Sequence, residues 1–234
     1  MPSDGVKRAS DLLVAGTLLT ALSPLMAAVA ALIRVSMGPP VLFKQARPGY
    51  KGELFVPYKF RTMSETRDAA GAVLPDGDRV LPLGRLLRRT SIDELPQLLN
   101  VIKGEMSMVG PRPLLARYLD RYPPRYARRH DVKPGITGWA QINGRGDLPF
   151  SRRLDMDVWY VDHQSFALDL KIMALTVLKV AGMKGTRTWQ DTSEILAIDD
   201  VNLTNVSRAR RAADPGDPGP AHGDPGPAAC GEPS

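Results

Sequence analysis

Residues 12–33 read LLVAGTLLTALSPLMAAVAALI, 22 positions without a charge. At about 1.5 Å per helical residue the run is long enough to cross a hydrocarbon core of roughly 30 Å. It exceeds a signal-peptide apolar region of about 7–15 residues, and no small-residue cleavage site marks its end. The first reading is a membrane anchor, but two features oppose a simple span. Ser23-Pro24 lies near the centre, and a proline in a helix interior removes one backbone bond and clashes with the carbonyl four residues back, at about 3 kcal/mol. The Ser23 hydroxyl is placed to take a carbonyl so freed. The flanks also share one sign: Lys7 and Arg8 precede the run, and Arg34, Lys44 and Arg47 follow it. The positive-inside bias therefore gives no reason to put the two ends on opposite sides. A helix that enters, bends at Ser23-Pro24 and leaves by the same face meets both observations; a kinked spanning helix is the alternative.

Outside this run the chain is polar and basic. Its 234 residues hold 31 Lys+Arg against 25 Asp+Glu, a formal charge of +6. Such a surface suits nucleic acid, anionic lipid or phosphorylated small molecules. The single cysteine, Cys230, excludes a disulfide scaffold. His130, His163 and His222 are too scattered for a His/Cys zinc site. Residues 214–234 (DPGDPGPAHGDPGPAACGEPS) cannot bury apolar surface and read as disordered. The domain plan is a membrane helix over 1–36, a catalytic domain over 37–205 and a disordered Pro/Gly-rich tail over 206–234.

Within the catalytic domain, 41–43 and 54–60 have the character of short strands, joined through a Gly49–Gly52 turn. Residues 65–78 read as a surface loop, and 84–89 as a short basic amphipathic piece. Apolar positions at 95, 98, 99, 101 and 102 form a helix face that Gly104 ends. Residues 113–129 pair tyrosines and leucines with arginines, as expected of a basic helix in a headgroup plane, interrupted at Pro123-Pro124. A second amphipathic helix is expected over 166–183. The fold class is α/β, α+β-like, with a small mixed sheet, interfacial amphipathic helices and an N-terminal helix broken at Ser23-Pro24.

The densest chemistry lies in residues 85–112, RLLRRTSIDELPQLLNVIKGEMSMVGPR. Asp93 and Glu94 are adjacent acids where a helix begins. Ser91–Glu94 fits the capping box S-x-x-E. Pro96 would then fall deep in the helix, so a start at Asp93 is favoured. Capping accounts for one acid at most. Arg85, Arg88, Arg89 and Arg112 flank the pair, and Lys59, Arg61 and Arg145 add cations. Carboxylates, a helix start and several guanidiniums together describe a diphosphate site, in which the acids hold a divalent metal or attack phosphorus. Adjacent acids on one turn do not flank a bond as a glycosidase pair must, and no P-loop motif is present.

The run KFRTM (59–63), then residues 85–113, VKPGITGWAQINGRG (132–146) and DMDVWYVD (155–162) resembles the bacterial sugar transferase family, the small monotopic phosphoglycosyl transferases of the bacterial cytoplasmic membrane. The resemblance covers residues 7–183 in unbroken order. It implies transfer of a sugar-1-phosphate from a UDP-sugar to undecaprenyl phosphate with release of UMP, the first membrane step of exopolysaccharide, capsule, O-antigen or glycoprotein glycan assembly. It implies Mg2+, with Asp93 as nucleophile forming a covalent phosphosugar-enzyme and Glu94 assisting with the metal. Lys59, Arg61, Arg88, Arg112 and Arg145 are then the phosphate contacts, and Asp157 is a polar member of the site. The Ser23-Pro24 break matches the family's re-entrant helix. The large N-terminal multi-helix region of longer relatives is missing, as expected of a stand-alone form. Anionic membrane lipid is an expected partner. A non-enzymatic basic peripheral protein is the rival reading. A nucleic-acid binder is suggested by charge alone, with no aromatic RNA-binding signature or helix-turn-helix to support it.

Overall fold

The computed structural model describes residues 4–64, 79–144 and 148–182. The fold is helix-rich with small sheets. Helix α1 (Asp4–Met37) leads into strand β1 (Leu42–Lys44), and β2 (Arg47–Pro48), β3 (Leu54–Phe55) and β4 (Tyr58–Phe60) follow. After α2 (Pro82–Thr90), a 3-10 segment (Ile92–Gln97) runs straight into α3 (Leu98–Lys103). Then come β5 (Ser107–Val109), short helical turns between 116 and 130 that include α4 (Pro124–Ala127), β6 (Gly135–Thr137), α5 (Trp139–Ile142), α6 (Phe150–His163) and α7 (Phe166–Ala181). Among the described residues the expected single mixed sheet is instead three two-stranded ladders, β1–β4 and β2–β3 antiparallel and β5–β6 parallel. Residues 113–129 do not form one helix: they break into the 3-10 turn Ala116–Arg121, the short helix Pro124–Ala127 and the start of the 3-10 turn Arg128–His130, because Pro113, Pro123 and Pro124 withhold the N–H groups a continuous helix needs. The expected loop at 65–78 and tail at 206–234 lie outside the described residues.

Helix α1 is the one described helix long and apolar enough to cross a membrane. It is a single element with Pro24 inside it, so the expected interruption of helical structure at Ser23-Pro24 is not there. The reason is local. The carbonyl that Pro24 cannot bond is that of Thr20, and the Ser23 hydroxyl donates to it at 2.9 Å. One stripe of α1 is buried along its length, at Asp11, Ala15, Val29 and Ile33, while Leu13, Leu25, Leu32 and Val35 are exposed. The N-terminal half joins a core of Leu98, Val101, Met106, Met108, Tyr160 and Ile172. The C-terminal half joins a second core of Phe60 and Leu87. Both halves of the apolar helix thus rest on the same catalytic body.

Polar bonds lock the N-terminal half. Lys7 Nζ pairs with Asp169 Oδ2 of α7 at 2.5 Å and donates to Val109 O at 3.2 Å. Asp11 Oδ1 accepts Met108 N at 3.0 Å, and Tyr160 Oη donates to Val109 O at 3.1 Å. The backbone groups of β5 that β6 leaves open are closed in this way by side chains of α1 and α6. Arg8 donates to Val101 O and Ile102 O, carbonyls of the last turn where α3 ends at Gly104 (φ 87). This confirms the expected helix stop.

Two further devices position the site. Asn100, fully buried on α3, accepts from Tyr58 N at 2.9 Å and donates to Val56 O at 2.8 Å, fixing the approach to β4. The segment after β5 crosses the start of β6 so closely that a Cβ on Gly135 would lie 2.1 Å from Gly110 N. Only glycine allows that crossing, which sets where the following Arg112 emerges.

Replacing Lys7 with methionine leaves Asp169 buried without its cation. The folded state should lose about 3 kcal/mol, the cost of breaking a buried pair from one side, read from the denaturant midpoint of the protein in lipid–detergent micelles.

Candidate active site

Four elements converge on the acid pair. Strand β4 brings Lys59, α2 brings Arg88, the 3-10 segment carries Asp93 and Glu94, and the loop after β5 brings Arg112. Ser91 stands in the left-handed region (φ 59) and its side chain caps nothing, so the S-x-x-E capping box does not form, as expected from the position of Pro96. Pro96 is accommodated because the segment starts as a 3-10 turn, and α3 proper begins only at Leu98. The Glu94 side chain is drawn away from the backbone to stronger partners. Lys59 Nζ donates to Glu94 Oε1 at 2.8 Å. Arg112 engages the same carboxylate with both ends of its fork, Nη1 to Oε2 at 3.1 Å and Nη2 to Oε1 at 2.5 Å.

Neighbouring acids therefore meet opposite environments. Burial works against ionisation of Glu94, yet Arg112 and Lys59 outweigh it and hold the carboxyl well below the usual carboxylate range. Asp93 makes no hydrogen bond or ion pair among the described residues. Burial, then the charge of Glu94, pushes its carboxyl up to about 6, against the pull of Lys59, Arg112 and Arg88. Burial also lowers the Lys59 ammonium, with Glu94 opposing. A carboxylate of raised basicity, with its lone pairs uncommitted, is the better nucleophile of the two. Lys59, Arg88 and Arg112 outnumber the two acids by one charge, leaving the wall cationic for an incoming phosphate.

The other expected site residues fall elsewhere. Arg61 is not brought to the acids: Nη1 donates to Pro39 O at 3.2 Å, and Nη2 to Gly38 O at 2.6 Å and to Met37 O. Both of its terminal nitrogens are spent on carbonyls at and just past the end of α1. Arg88 donates from Nε to Thr62 Oγ1 at 2.8 Å and remains close enough to Asp93 to act on its charge. Asp157, on α6, is bonded to Arg129 rather than to the acid pair. Arg145 lies outside the described residues. Sequence reasoning missed Asn100, Lys7 and Arg129. Arg129 belongs to an Arg128-Arg129 doublet in which only burial, invisible in the string, separates the inner residue from its exposed neighbour. Arg47 lies near Arg112 rather than at the acid pair; burial, then the charge of Arg112, lowers it to about 10.

The acid pair is thus walled by cations, on the same body that carries the long apolar helix. The chain belongs to the bacterial sugar transferase family, whose sequence model matches residues 3–183. It is 53% identical over 192 residues to the uncharacterized sugar transferase EpsL of Bacillus subtilis (strain 168), covering 82% of this chain and 94% of that one. It is 45% identical over 185 residues to an undecaprenyl-phosphate glucose phosphotransferase of Komagataeibacter xylinus, covering 73% of this chain but only 35% of that one. The exopolysaccharide production protein ExoY of Sinorhizobium fredii is 37% identical, over 79% of this chain and 90% of its own length. The chain thus spans nearly all of two of these relatives and about a third of the other.

A base or nucleophile at Asp93 acts only when ionised, so transfer activity that depends on it should fall as pH drops through about 6, with full activity above. A pH–rate profile between about pH 4 and 8 checks this, since an unperturbed aspartate would put the acid limb near 4.

Proposed function

We propose that the protein transfers a sugar-1-phosphate from a UDP-sugar to undecaprenyl phosphate, releasing UMP, in a pathway that builds exopolysaccharide or a related surface glycan. The observation that carries the mechanism is the division between the two acids: Glu94 is saturated by Lys59 and Arg112, while Asp93 stands uncommitted beside them. An Asp93 carboxylate oxygen attacks the β-phosphorus of the UDP-sugar. The bond from that phosphorus to the bridging oxygen breaks, and UMP departs with the electron pair. This leaves a phosphosugar on Asp93. An oxygen of undecaprenyl phosphate then attacks the same phosphorus, the bond to Asp93 breaks, and the carboxylate is restored as the sugar leaves on a polyprenyl diphosphate. Lys59, Arg88 and Arg112 offset the charge that accumulates on the phosphoryl oxygens. Glu94 keeps Lys59 and Arg112 aimed and is itself withheld from attack. The names of the relatives, a glucose phosphotransferase onto undecaprenyl phosphate and an exopolysaccharide production protein, support the same substrates.

Mg2+ fits this site in one mode. Among the described residues no three His, Cys, Asp or Glu side chains gather to form an all-protein cage. Magnesium is commonly held by one or two carboxylates together with substrate phosphates and water, and the uncommitted Asp93 suits that role, with the engaged Glu94 beside it. When bound, the ion supplies neutralisation of diphosphate charge.

The apolar helix serves as the anchor, and we read it as re-entrant, with the catalytic body facing the cytoplasm of the inner membrane. Supporting this is the docking of both halves of α1 on one body, with Lys7 and Arg8 at one end and Arg61 at the other bonded to it. A spanning helix would have to surrender one of those contact sets to the far side of the bilayer.

With UDP-sugars supplied as a panel, UMP should appear with the wild-type protein and fall at least about 10³-fold in Asp93→Asn; chelation with EDTA should stop it and added Mg2+ restore it. Release undiminished in Asp93→Asn would remove Asp93 from the reaction. For the anchor, single cysteines at Val6 and Ser36, in a background with Cys230 replaced by serine, should both react with an impermeant maleimide only when it is applied from the cytoplasmic side.

A further inference from the structure

We propose that Arg129 is a positioning residue for the transfer reaction: the buried Asp157–Arg129 pair holds the main chain of Arg112 and thereby fixes the Arg112 guanidinium against Glu94. This rests on the transferase reading above. Arg129 is 2% exposed and Asp157 4%, so neither is open to a substrate. Arg129 Nη2 and Nε bond to Asp157 Oδ2 at 2.7 and 3.2 Å. The same Nη2 also reaches Arg112 O at 2.6 Å.

That carbonyl bond separates this pair from an ordinary core ion pair. A buried pair roughly breaks even against apolar side chains of the same volume, so stability alone gives little reason for it. Arg112 stands between Pro111 and Pro113, in a stretch without strand or helix, and neither proline can donate a backbone bond. The stretch is tied by Gly135 N to Pro111 O at 3.0 Å and by Arg129 at Arg112 O. The planar Arg129 fork has a fixed direction once Asp157 grips the edge formed by Nε and Nη2, so the second N–H of Nη2 locates the carbonyl, and the Arg112 side chain starts from that point. From there it makes the two-pronged bond to Glu94. Asp157 of α6 thus acts on the acid pair at two removes, without meeting substrate.

The test uses the full chain in lipid nanodiscs. Asp157→Asn and Arg129→Lys should each lower both melting temperature and kcat for UMP release. The double variant Arg129→Met with Asp157→Leu removes both charges together. Its melting temperature should return to near the wild-type value while kcat stays down by about 100-fold, the cost of a misplaced catalytic side chain. In an Arg112→Ala background the same double change should add less than about a twofold loss, as expected of groups acting through one residue. The coupling is also measurable without turnover: the drop in melting temperature caused by Glu94→Gln should shrink by at least half in the Arg129→Met, Asp157→Leu background. Recovery of kcat together with melting temperature, losses that multiply with Arg112→Ala, or an unchanged Glu94→Gln effect would each overturn the inference. A wild-type protein that releases no UMP from any UDP-sugar would instead defeat the transferase reading, and the melting-temperature cycle would still decide the role of Arg129.

Discussion

Glu94 gathers the site. One carboxylate receives Lys59 from the hairpin side and Arg112 from the segment after β5, so two cations that would repel each other in its absence are held within a few ångströms. The residue before it gains by contrast. Asp93 sits in the field of the same cations without being spent on them, and burial makes its charged form less comfortable still. Two acids adjacent in sequence take separate parts because their partners differ, the pattern by which one site can hold both a structural anion and a reactive one. Exchanging their environments would disarm the site without changing its composition.

The membrane element is built into the same frame. Helix α1 contributes a buried stripe to both cores, closes the ends of α3 and β5 with Arg8, Lys7 and Asp11, and has its own last carbonyls taken by Arg61. Arg61 lies two residues beyond Lys59 on the same chain segment. The distance between the anchor's exit and the acid pair is therefore set by a strand, about 7 Å for two residues, rather than by a flexible linker. A site at that spacing can meet a phosphate carried by a lipid without the body leaving its surface.

Much of this was legible in the string. The apolar run, the stop at Gly104 and the helix from Phe166 are local patterns that survive into the structure, whereas the break expected at Ser23-Pro24 does not, because the Ser23 hydroxyl takes up the Thr20 carbonyl. The acid pair and its cationic company could be nominated from composition and motif. Assigning the cations could not be done that way, because Lys59 and Glu94 are 35 residues apart, Arg112 and Glu94 18, and Arg129 and Asp157 28. Nothing in KFRTM says that its lysine faces the site while its arginine turns to the helix end. The capping box failed for a related reason: a good local partner for Glu94 lost to two charged partners delivered by distant segments. The expected helix over 113–129 failed because its tyrosines and arginines mimic an amphipathic face, while its prolines set a different backbone.

The closure of β5 by α1 has a consequence for how the enzyme can exist at all. A parallel two-stranded ladder has little independent stability, and an open strand edge invites pairing with another chain. Here the missing neighbour is supplied by a carboxylate and an ammonium projecting from the membrane helix. Cutting the helix away would not liberate a water-soluble catalyst. It would uncover a sticky edge and two cores missing a wall at once, so the hydrophobic element that ties the enzyme to the bilayer is also what keeps its catalytic half from aggregating.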